Sequence, residues 1–138
     1  MKTSFILDGD KEFLNFAERH LTIFGYQVHA FSQPAEFMDA LNLKPQLIIL
    51  GDVQNSSQSI LDFIQEVRAR VSKSIIIHVA TISESISAVN SIKAGASEFI
   101  EKNSATFVRL RTSLDLLEKK AQAGSNSIIT NLKKVFMG

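Results

Sequence analysis

Cysteine is absent from the 138-residue sequence. Its absence excludes a disulfide framework, thiol chemistry and any metal site built on thiolates. Histidine does not indicate a metal site either, because the three histidines, His20, His29 and His78, are scattered and lack the spacing of metal ligands. A metal site in this chain would therefore depend on carboxylates, which suit a hard cation such as Mg²⁺.

An excess of charge of either sign is also missing. The sequence has 15 Lys and Arg residues against 14 Asp and Glu residues, a net charge of +1 at pH 7. This balance does not favour direct binding to nucleic acid or to an anionic membrane surface. No apolar run approaches the length of a membrane span, and the segment MKTSFILDGD reaches charge too early for a signal peptide. We therefore expect a cytoplasmic protein without a membrane partner.

Five short apolar runs are typical of strands. They lie at residues 4–7, 28–31, 47–50, 75–79 and 99–100. Three of them are almost wholly apolar rather than alternating, which is the pattern of strands covered on both faces. At this length, we expect them to belong to one domain with a substantial core.

Each run is followed by apolar residues at helical spacing. The predicted stripes are Phe13, Phe16, Ala17, His20, Leu21 and Phe24; Phe37, Met38 and Leu41; Ile60, Leu61, Ile64, Val67 and Val71; Ile86, Val89 and Ile92; Phe107, Leu110, Leu114 and Leu117. Five strand–helix repeats predict an α/β fold. We expect a doubly wound, five-stranded parallel sheet with five flanking helices, arranged as three α/β/α layers.

Polar residues follow several of the predicted strands. In open parallel sheets the binding crevice lies outside the carboxyl ends of the strands. The residues at those ends are Asp8, Gly9 and Asp10 after strand one, Asp52 after strand three, Ala80 and Thr81 after strand four, and Lys102 after strand five. The sequence therefore predicts a site of three carboxylates and one lysine at this edge.

The same residues lie in a familiar order of motifs. The chain reads LDGD, ILGDV, HVAT, KAGASEFI and EK from one strand end to the next. With this order it resembles the receiver domain of two-component response regulators, a flavodoxin-like fold, from about residue 4 to residue 117. The resemblance implies a signalling domain rather than an enzyme. A flavin or nucleotide binder is disfavoured, because no phosphate-binding loop rich in Gly, Ser or Thr follows strand one.

The resemblance leaves two positions for the phosphoacceptor aspartate. Counting from Pro45 places it on Gly51, and the domain would then be a pseudo-receiver that cannot be phosphorylated. Counting forward from Asp8 and back from Lys102 places it on Asp52 instead. The valine after Asp52 also fits the family pattern. We predict Asp52 as the phosphoacceptor, with Lys102 contacting the phosphoryl oxygens.

The resemblance also implies a Mg²⁺ ion. Its expected ligands are Asp8, Asp10, Asp52 and the backbone carbonyl of Gln54. Gly9 stands where the family has a second acid, and Mg²⁺ tolerates a misplaced ligand poorly. We therefore predict weak Mg²⁺ binding and weakened Mg²⁺-dependent phosphorylation.

Switching is expected to be weak as well. In the family, a hydroxyl after strand four contacts the phosphoryl group, but Ala80 has lost it and Thr81 is predicted to face the other way. Phe99 occupies the position of the switch aromatic, and an ordinary core aromatic is the equal alternative. His78 is interpreted as a core histidine with its polar atoms satisfied.

Two functions remain in view. The first is a phosphoacceptor switch that pairs with a sensor histidine kinase or a phosphotransfer protein. The second is a phosphorylation-independent module for protein interaction, with a homodimer formed through the fourth helix, fifth strand and fifth helix. The receiver-like domain is predicted at 1–121. Residues 122–138 are expected to form a linker or helical extension, as a docked helix, a partner-binding helix or the start of an output region.

Overall fold

The computed structural model describes residues 2–53 and 58–120. The strands are β1 (Lys2–Leu7), β2 (Tyr26–Phe31), β3 (Leu47–Leu50), β4 (Ile75–Ala80) and β5 (Glu98–Glu101). The helices are α1 (Lys11–Ile23), α2 (Pro34–Ala40), α3 (Ile60–Arg70), α4 (Ala88–Ala94) and α5 (106–120), and a short 3₁₀ helix, Leu41–Leu43, follows α2.

The five strands form one parallel sheet in the order β2-β1-β3-β4-β5. From β1 the chain proceeds to β2 on one side and later to β3 on the other, so the topological switch point lies between β1 and β3. The register aligns Leu7 with Leu50, and Leu50 with His78. The carboxyl ends of the three central strands therefore meet at one edge, and the predicted fold is confirmed.

Both faces of the sheet are covered by apolar packing. On β3, Ile48 and Leu50 face a cluster that includes residues of α2 and α3, whereas Leu47 and Ile49 face a cluster that includes residues of α1 and α5. All four of these side chains are completely buried. The almost wholly apolar runs were thus correctly interpreted as strands covered on both faces.

The predicted apolar stripe of α4 is wrong. Val89 is 60% exposed and Ile92 is 48% exposed, while the buried residues of this helix are Ser91 and Ala94. The helix begins at Ala88, capped by the Ser87 side chain, so the stripe's first residue precedes the helix. Small residues occupy the inner face because they let the helix lie close to its neighbours, and the larger apolar residues are left outside.

Two smaller predictions also need correction. Phe16 was expected in the core stripe of α1, but it is exposed, and Leu14 is buried beside Phe13, Ala17 and Leu21 instead. Ala80 was expected just after the fourth strand, and it is the last residue of β4. Each change is a shift of one or two positions at an element boundary or on a helix face, where periodicity is least informative.

Arg68 joins α3 to the loops at the other edge of the sheet. Its Nε donates to Gly95 O at 2.8 Å, and its Nη1 contacts Val71 O and Ser74 O at 3.0 and 2.8 Å. Its Nη2 donates to Ser97 Oγ at 3.2 Å. These oxygens come from the end of α3, the loop before β4 and the segment between α4 and β5, so one guanidinium ties three parts of the chain together.

The Arg68 contacts depend on the planar fork of the guanidinium. We expect Arg68→Lys to lower the free energy of unfolding by about 2–4 kcal/mol, because an ammonium cannot reach all these oxygens and leaves several unpaired. Urea denaturation would measure the loss. The matched control is Arg70→Lys, since Arg70 is exposed and pairs only with Glu66 at 3.5 Å among the described residues. That change should stay within about 0.5 kcal/mol. Equal effects of the two substitutions would contradict the assigned role.

No helix within the described residues is long and apolar enough to cross a bilayer. The predicted domain boundary at residue 121 and the predicted extension over 122–138 lie outside the described residues.

Candidate functional site

Three charged side chains meet at the carboxyl edge of the sheet. Asp8 follows β1, Asp52 lies two residues beyond the end of β3, and Lys102 follows β5. The Lys102 Nζ lies 2.8 Å from Asp8 Oδ2 and 3.1 Å from Asp52 Oδ2. The sequence prediction that these residues converge is borne out for this trio, since one ammonium bridges two carboxylates from distant parts of the chain.

The Asp8 carboxylate is completely buried, and it is tied to both neighbouring loops. Its Oδ1 accepts a hydrogen bond from the Asp10 N–H at 2.8 Å, and its Oδ2 accepts one from the Asp52 N–H at 3.0 Å. A buried carboxylate is stable only when it is paired and hydrogen-bonded. Asp8 therefore organises the site and has little capacity left for another ligand.

Gly51 provides the space that Asp8 occupies. A Cβ atom built on Gly51 would lie 1.9 Å from Asp8 Oδ2 and 2.7 Å from Asp8 Cγ. No side chain fits at that separation without movement of the aspartate. Gly9, by contrast, has room, because a Cβ there meets only Asp52 O, at 3.5 Å. Glycine at position 51 is thus a packing requirement of the buried carboxylate.

Burial and the two neighbouring carboxylates have opposite effects on the pKa of Lys102. Burial lowers the pKa of its ammonium, but hydrogen bonds and charge attraction from Asp8 and Asp52 outweigh burial, so the net shift is upward. Its Nζ also lies 4.2 Å from the centroid of the Phe13 ring, within the range of a cation–π contact. The lysine therefore stays charged at neutral pH and holds a fixed position.

Asp52 is the accessible member of the trio. Its side chain is 47% exposed, whereas that of Lys102 is 19% exposed. It lines a pocket of about 780 Å³ at the carboxyl edge, together with Gly9, Gly51 and His78. The other lining residues are Asp10, Lys11, Ser32, Gln33, Val53, Ile60 and Ile86. A group that entered this pocket would reach the Asp52 carboxylate first.

The predicted metal ligands are not gathered by the structure. The Asp10 side chain caps α1, accepting a hydrogen bond from the Glu12 N–H at 2.9 Å, and Asp8 is already engaged. Across residues 2–53 and 58–120, no group of three His, Cys, Asp or Glu side chains is positioned to hold a metal ion. The fourth predicted ligand, the carbonyl of Gln54, lies outside the described residues. The described carboxylates therefore fit Mg²⁺ poorly.

The residues after β4 and β5 lie near the trio but add no polar side chain to it. Ala80 is buried, and its carbonyl accepts a hydrogen bond from the Lys102 N–H at 2.9 Å. Thr81 is exposed, and no side-chain hydrogen bond of it is found among the described residues. Phe99 is partly buried on β5, with its ring edge-on to His78 at 5.3 Å between centroids.

His78 is the polar residue of this region that sequence reasoning undervalued. It is completely buried, and its Nδ1 lies 2.7 Å from Ser91 Oγ on α4. Its Nε2 is buried without a hydrogen-bond partner in the described part of the chain. The expected satisfied core histidine is thus only half satisfied. Burial lowers its pKa to about 4, against a smaller opposing effect of Asp52, so the ring is neutral at pH 7.

The arrangement of strands and helices agrees with known structures. The chain is similar to a signal receiver domain from Vibrio parahaemolyticus, with a TM-score of 0.73 and 21% identity over 99% of this chain and 98% of that one. It is equally similar to a CheY-like response regulator receiver domain from Methanospirillum hungatei, with a TM-score of 0.74 and 18% identity over 89% and 98%. The chain has the receiver fold.

A larger protein contains the same fold. NtrX from Brucella abortus matches with a TM-score of 0.76 and 18% identity, over 93% of this chain but only 30% of NtrX. No protein-family model and no curated protein sequence matches the chain. The likeness is thus one of structure, at identities that establish the receiver fold and leave the chemistry to be argued from the site.

The close fit of Gly51 against Asp8 can be tested in this receiver fold. We expect Gly51→Ala to lower the free energy of unfolding by about 1–3 kcal/mol, because the new methyl group displaces the Asp8 carboxylate from its hydrogen bonds. Gly9→Ala is the control, since its Cβ meets only an ordinary contact, and it should change stability by less than about 0.5 kcal/mol. Chemical denaturation of both variants gives the comparison, and a neutral Gly51→Ala would disprove the packing argument.

Proposed function

We propose that the chain is the receiver domain of a two-component signalling system and that Asp52 is its phosphoacceptor. The observation that carries this proposal is the contact of 3.1 Å between Asp52 Oδ2 and the Lys102 ammonium, with Asp52 exposed at a pocket mouth. A carboxylate that is accessible and beside a fixed positive charge can attack an anionic phosphoryl donor. The proposed donor is the phosphohistidine of a sensor kinase or of a phosphotransfer protein.

The proposed reaction forms one bond and breaks another. A carboxylate oxygen of Asp52 attacks phosphorus, the phosphorus–nitrogen bond of the phosphohistidine breaks, and the electron pair leaves with the imidazole. The product is an acyl phosphate on Asp52. Lys102 lowers the barrier by stabilising negative charge on the transferred group. Because the same ammonium also serves Asp8 at 2.8 Å, its contribution to the phosphoryl group is reduced.

We also propose that Mg²⁺ binds this site weakly. A bound Mg²⁺ would supply neutralisation of phosphoryl charge. Of the three predicted carboxylate ligands, only Asp52 has a side chain that neither accepts hydrogen bonds from buried backbone N–H groups nor caps a helix. Gly9 adds no negative charge, so the field that attracts a divalent cation is weaker than in a site with an acid at this position.

The conformational response to phosphorylation is expected to be small. Ala80 cannot donate the hydrogen bond that a hydroxyl would make to the phosphoryl group. Such a bond to a charged group is worth about 1.5–3 kcal/mol. A ligand shifts a two-state equilibrium only by its differential interaction with the two states. Losing the bond therefore weakens coupling by roughly tenfold to a hundredfold.

Phosphorylation can be tested with acetyl phosphate and Mg²⁺, followed by intact-protein mass spectrometry. We expect a slow gain of one phosphoryl group that Asp52→Asn abolishes, because the amide cannot act as the nucleophile. Asp10→Asn should only reduce the gain, since that side chain caps α1 rather than contacting Lys102. We expect Gly9→Asp to strengthen Mg²⁺ binding, because it adds a carboxylate where the structure has room.

Two results would count against this assignment. A mass gain that persists in Asp52→Asn would place the acceptor elsewhere. No gain in the wild-type chain, even at high Mg²⁺, would leave the receiver fold without phosphorylation and favour the alternative below.

A phosphorylation-independent interaction module is the second candidate. Two observations favour it: Lys102 is already paired with the buried Asp8 carboxylate, and α4 exposes Val89 and Ile92 side by side along the helix. Residues three apart on a helix lie on the same face. We propose that this face joins a second copy of the chain, together with β5 and α5, so that the domain acts as a dimer.

The dimer can be tested by analytical ultracentrifugation. We expect Val89→Lys to shift the chain toward the monomer, because a charge replaces an apolar contact at the proposed interface. Leu43→Lys is the matched control, since Leu43 is exposed after α2 and lies outside the proposed interface. A wild-type chain that stays monomeric throughout the accessible concentration range would exclude this second function.

The location and partners of the domain are also part of the proposal. We place the domain in the cytoplasm, where it receives a signal and carries out no catalysis of its own. An output domain or a partner protein would respond to its phosphorylation state. NtrX shows that this fold can be part of a longer chain, since the match covers only 30% of NtrX.

A further inference from the structure

His78 has an unused nitrogen at the centre of the molecule. The side chain is completely buried, yet only Nδ1 has a partner, Ser91 Oγ at 2.7 Å. Nε2 is one of two buried side-chain polar atoms without a hydrogen bond in the described residues, the other being Ser4 Oγ. An unmet polar atom in a buried position is unfavourable by about 1–3 kcal/mol. A buried polar atom without a partner therefore calls for an explanation, such as a group that binds to it.

A count of hydrogen-bond donors and acceptors indicates which ring nitrogen of His78 carries the proton. If Nδ1 held the proton and donated to Ser91, both the Ser91 hydroxyl proton and the Nε2 lone pair would lack partners. If the Ser91 hydroxyl donates to Nδ1, only one group is left over, the Nε2–H. The second arrangement leaves fewer buried groups unmet. At neutral pH the ring is uncharged, because burial lowers its pKa to about 4. His78 is therefore a neutral hydrogen-bond donor without an acceptor.

The His78 side chain lines the same pocket as Asp52. His78 is two residues before Ala80 on β4, so both side chains point to the same face. It pairs in register with Leu50, two residues before Asp52, and both His78 and Asp52 line the same pocket. Burial lowers the pKa of the ring, and the Asp52 charge raises it by a smaller amount, so the two groups interact electrostatically. A phosphoryl group on Asp52 would occupy part of the pocket that both residues line.

The ring is also connected to the elements that would report a signal. Its Nδ1 is bonded to Ser91, on the buried face of α4, and its edge meets the Phe99 ring on β5. A movement of the imidazole would therefore affect both α4 and β5. No other described residue links the pocket to α4 by a side-chain hydrogen bond of this kind.

We propose that His78 is a positioning residue that replaces the missing hydroxyl at position 80. Its Nε2–H donates to a phosphoryl oxygen carried by Asp52, and Ser91 passes the resulting ring movement to α4. This inference rests on the proposed phosphorylation of Asp52. It adds that the residual response is concentrated on His78, Ser91 and Phe99.

The experiment uses the whole chain with beryllofluoride and Mg²⁺ as the probe. Fluorine NMR reports whether the probe occupies Asp52, and nitrogen NMR of the histidine side chains reports the His78 tautomer and its hydrogen bond. We expect the free protein to show a neutral ring protonated on Nε2. Occupancy of Asp52 should then shift the His78 Nε2 signal and the Ser91 amide, while His20 and His29 stay unchanged.

Three variants separate the steps. His78→Met removes the donor, so the Ser91 and Phe99 amides should respond no more than α1 amides, although the probe still binds. Adding Ala80→Thr to that variant should restore a response, because the hydroxyl supplies the lost hydrogen bond. Ser91→Ala keeps the donor but cuts the link to α4, so the Nε2 signal should still shift while α4 does not. His29→Met, an exposed histidine on β2, is the control.

The outcomes distinguish the inference from the function beneath it. If the probe occupies Asp52 and the His78 Nε2 signal does not move, the inference is wrong and the phosphoacceptor stands. An α4 response that is unchanged in His78→Met would also disprove the inference. If that variant does not fold, the His78 nitrogen signal of the wild type and the response of Ser91→Ala still test the inference. If no probe binds in the wild type, both the proposed function and this inference fall.

Discussion

The ammonium of Lys102 lies within hydrogen-bond distance of two carboxylates that are far apart in sequence, and the carboxyl edge of the sheet is arranged around it. Asp8 has no exposure to water, and a buried carboxylate without a cationic partner would be strongly destabilising. Lys102 provides that partner from β5, while the Asp10 and Asp52 N–H groups provide the remaining hydrogen bonds. The ends of three strands are therefore held by one ion-pair network, and the loops that surround the pocket follow from it.

The same network limits the chemistry of the site. Two carboxylates and one ammonium leave a net charge of −1 on the trio, which attracts a divalent cation less than a site with an acid at Gly9 would. A phosphoryl group on Asp52 would have to share Lys102 with Asp8. Because breaking the buried pair is unfavourable, the lysine has little freedom to move toward the phosphoryl oxygens. Structural stability and the proposed phosphoryl binding would thus compete for a single side chain.

Sequence patterns predicted the sheet and the position of the site well. Apolar runs such as that of β3 identify buried strands directly, and polar residues after such runs identify the carboxyl edge. The face of α4 was not predictable in this way, because Ser91 and Ala94 are buried for their small size and their neighbours, not for their hydropathy. The role of Gly51 was equally hidden, since it depends on where the Asp8 side chain lies across the sheet.

Helix α4 is anchored in an unusual manner, and this bears on how a signal would reach it. Its larger apolar side chains face outward, so apolar burial contributes little to holding it. Polar contacts hold it instead: Ser91 bonds to His78 beneath it, and Arg68 holds the Gly95 carbonyl at its end. Because its larger apolar side chains are not buried, one hydrogen bond of about 1 kcal/mol is a sizeable part of the free energy that fixes the helix. A change in the His78 contact would therefore shift α4 even though Ala80 has no hydroxyl.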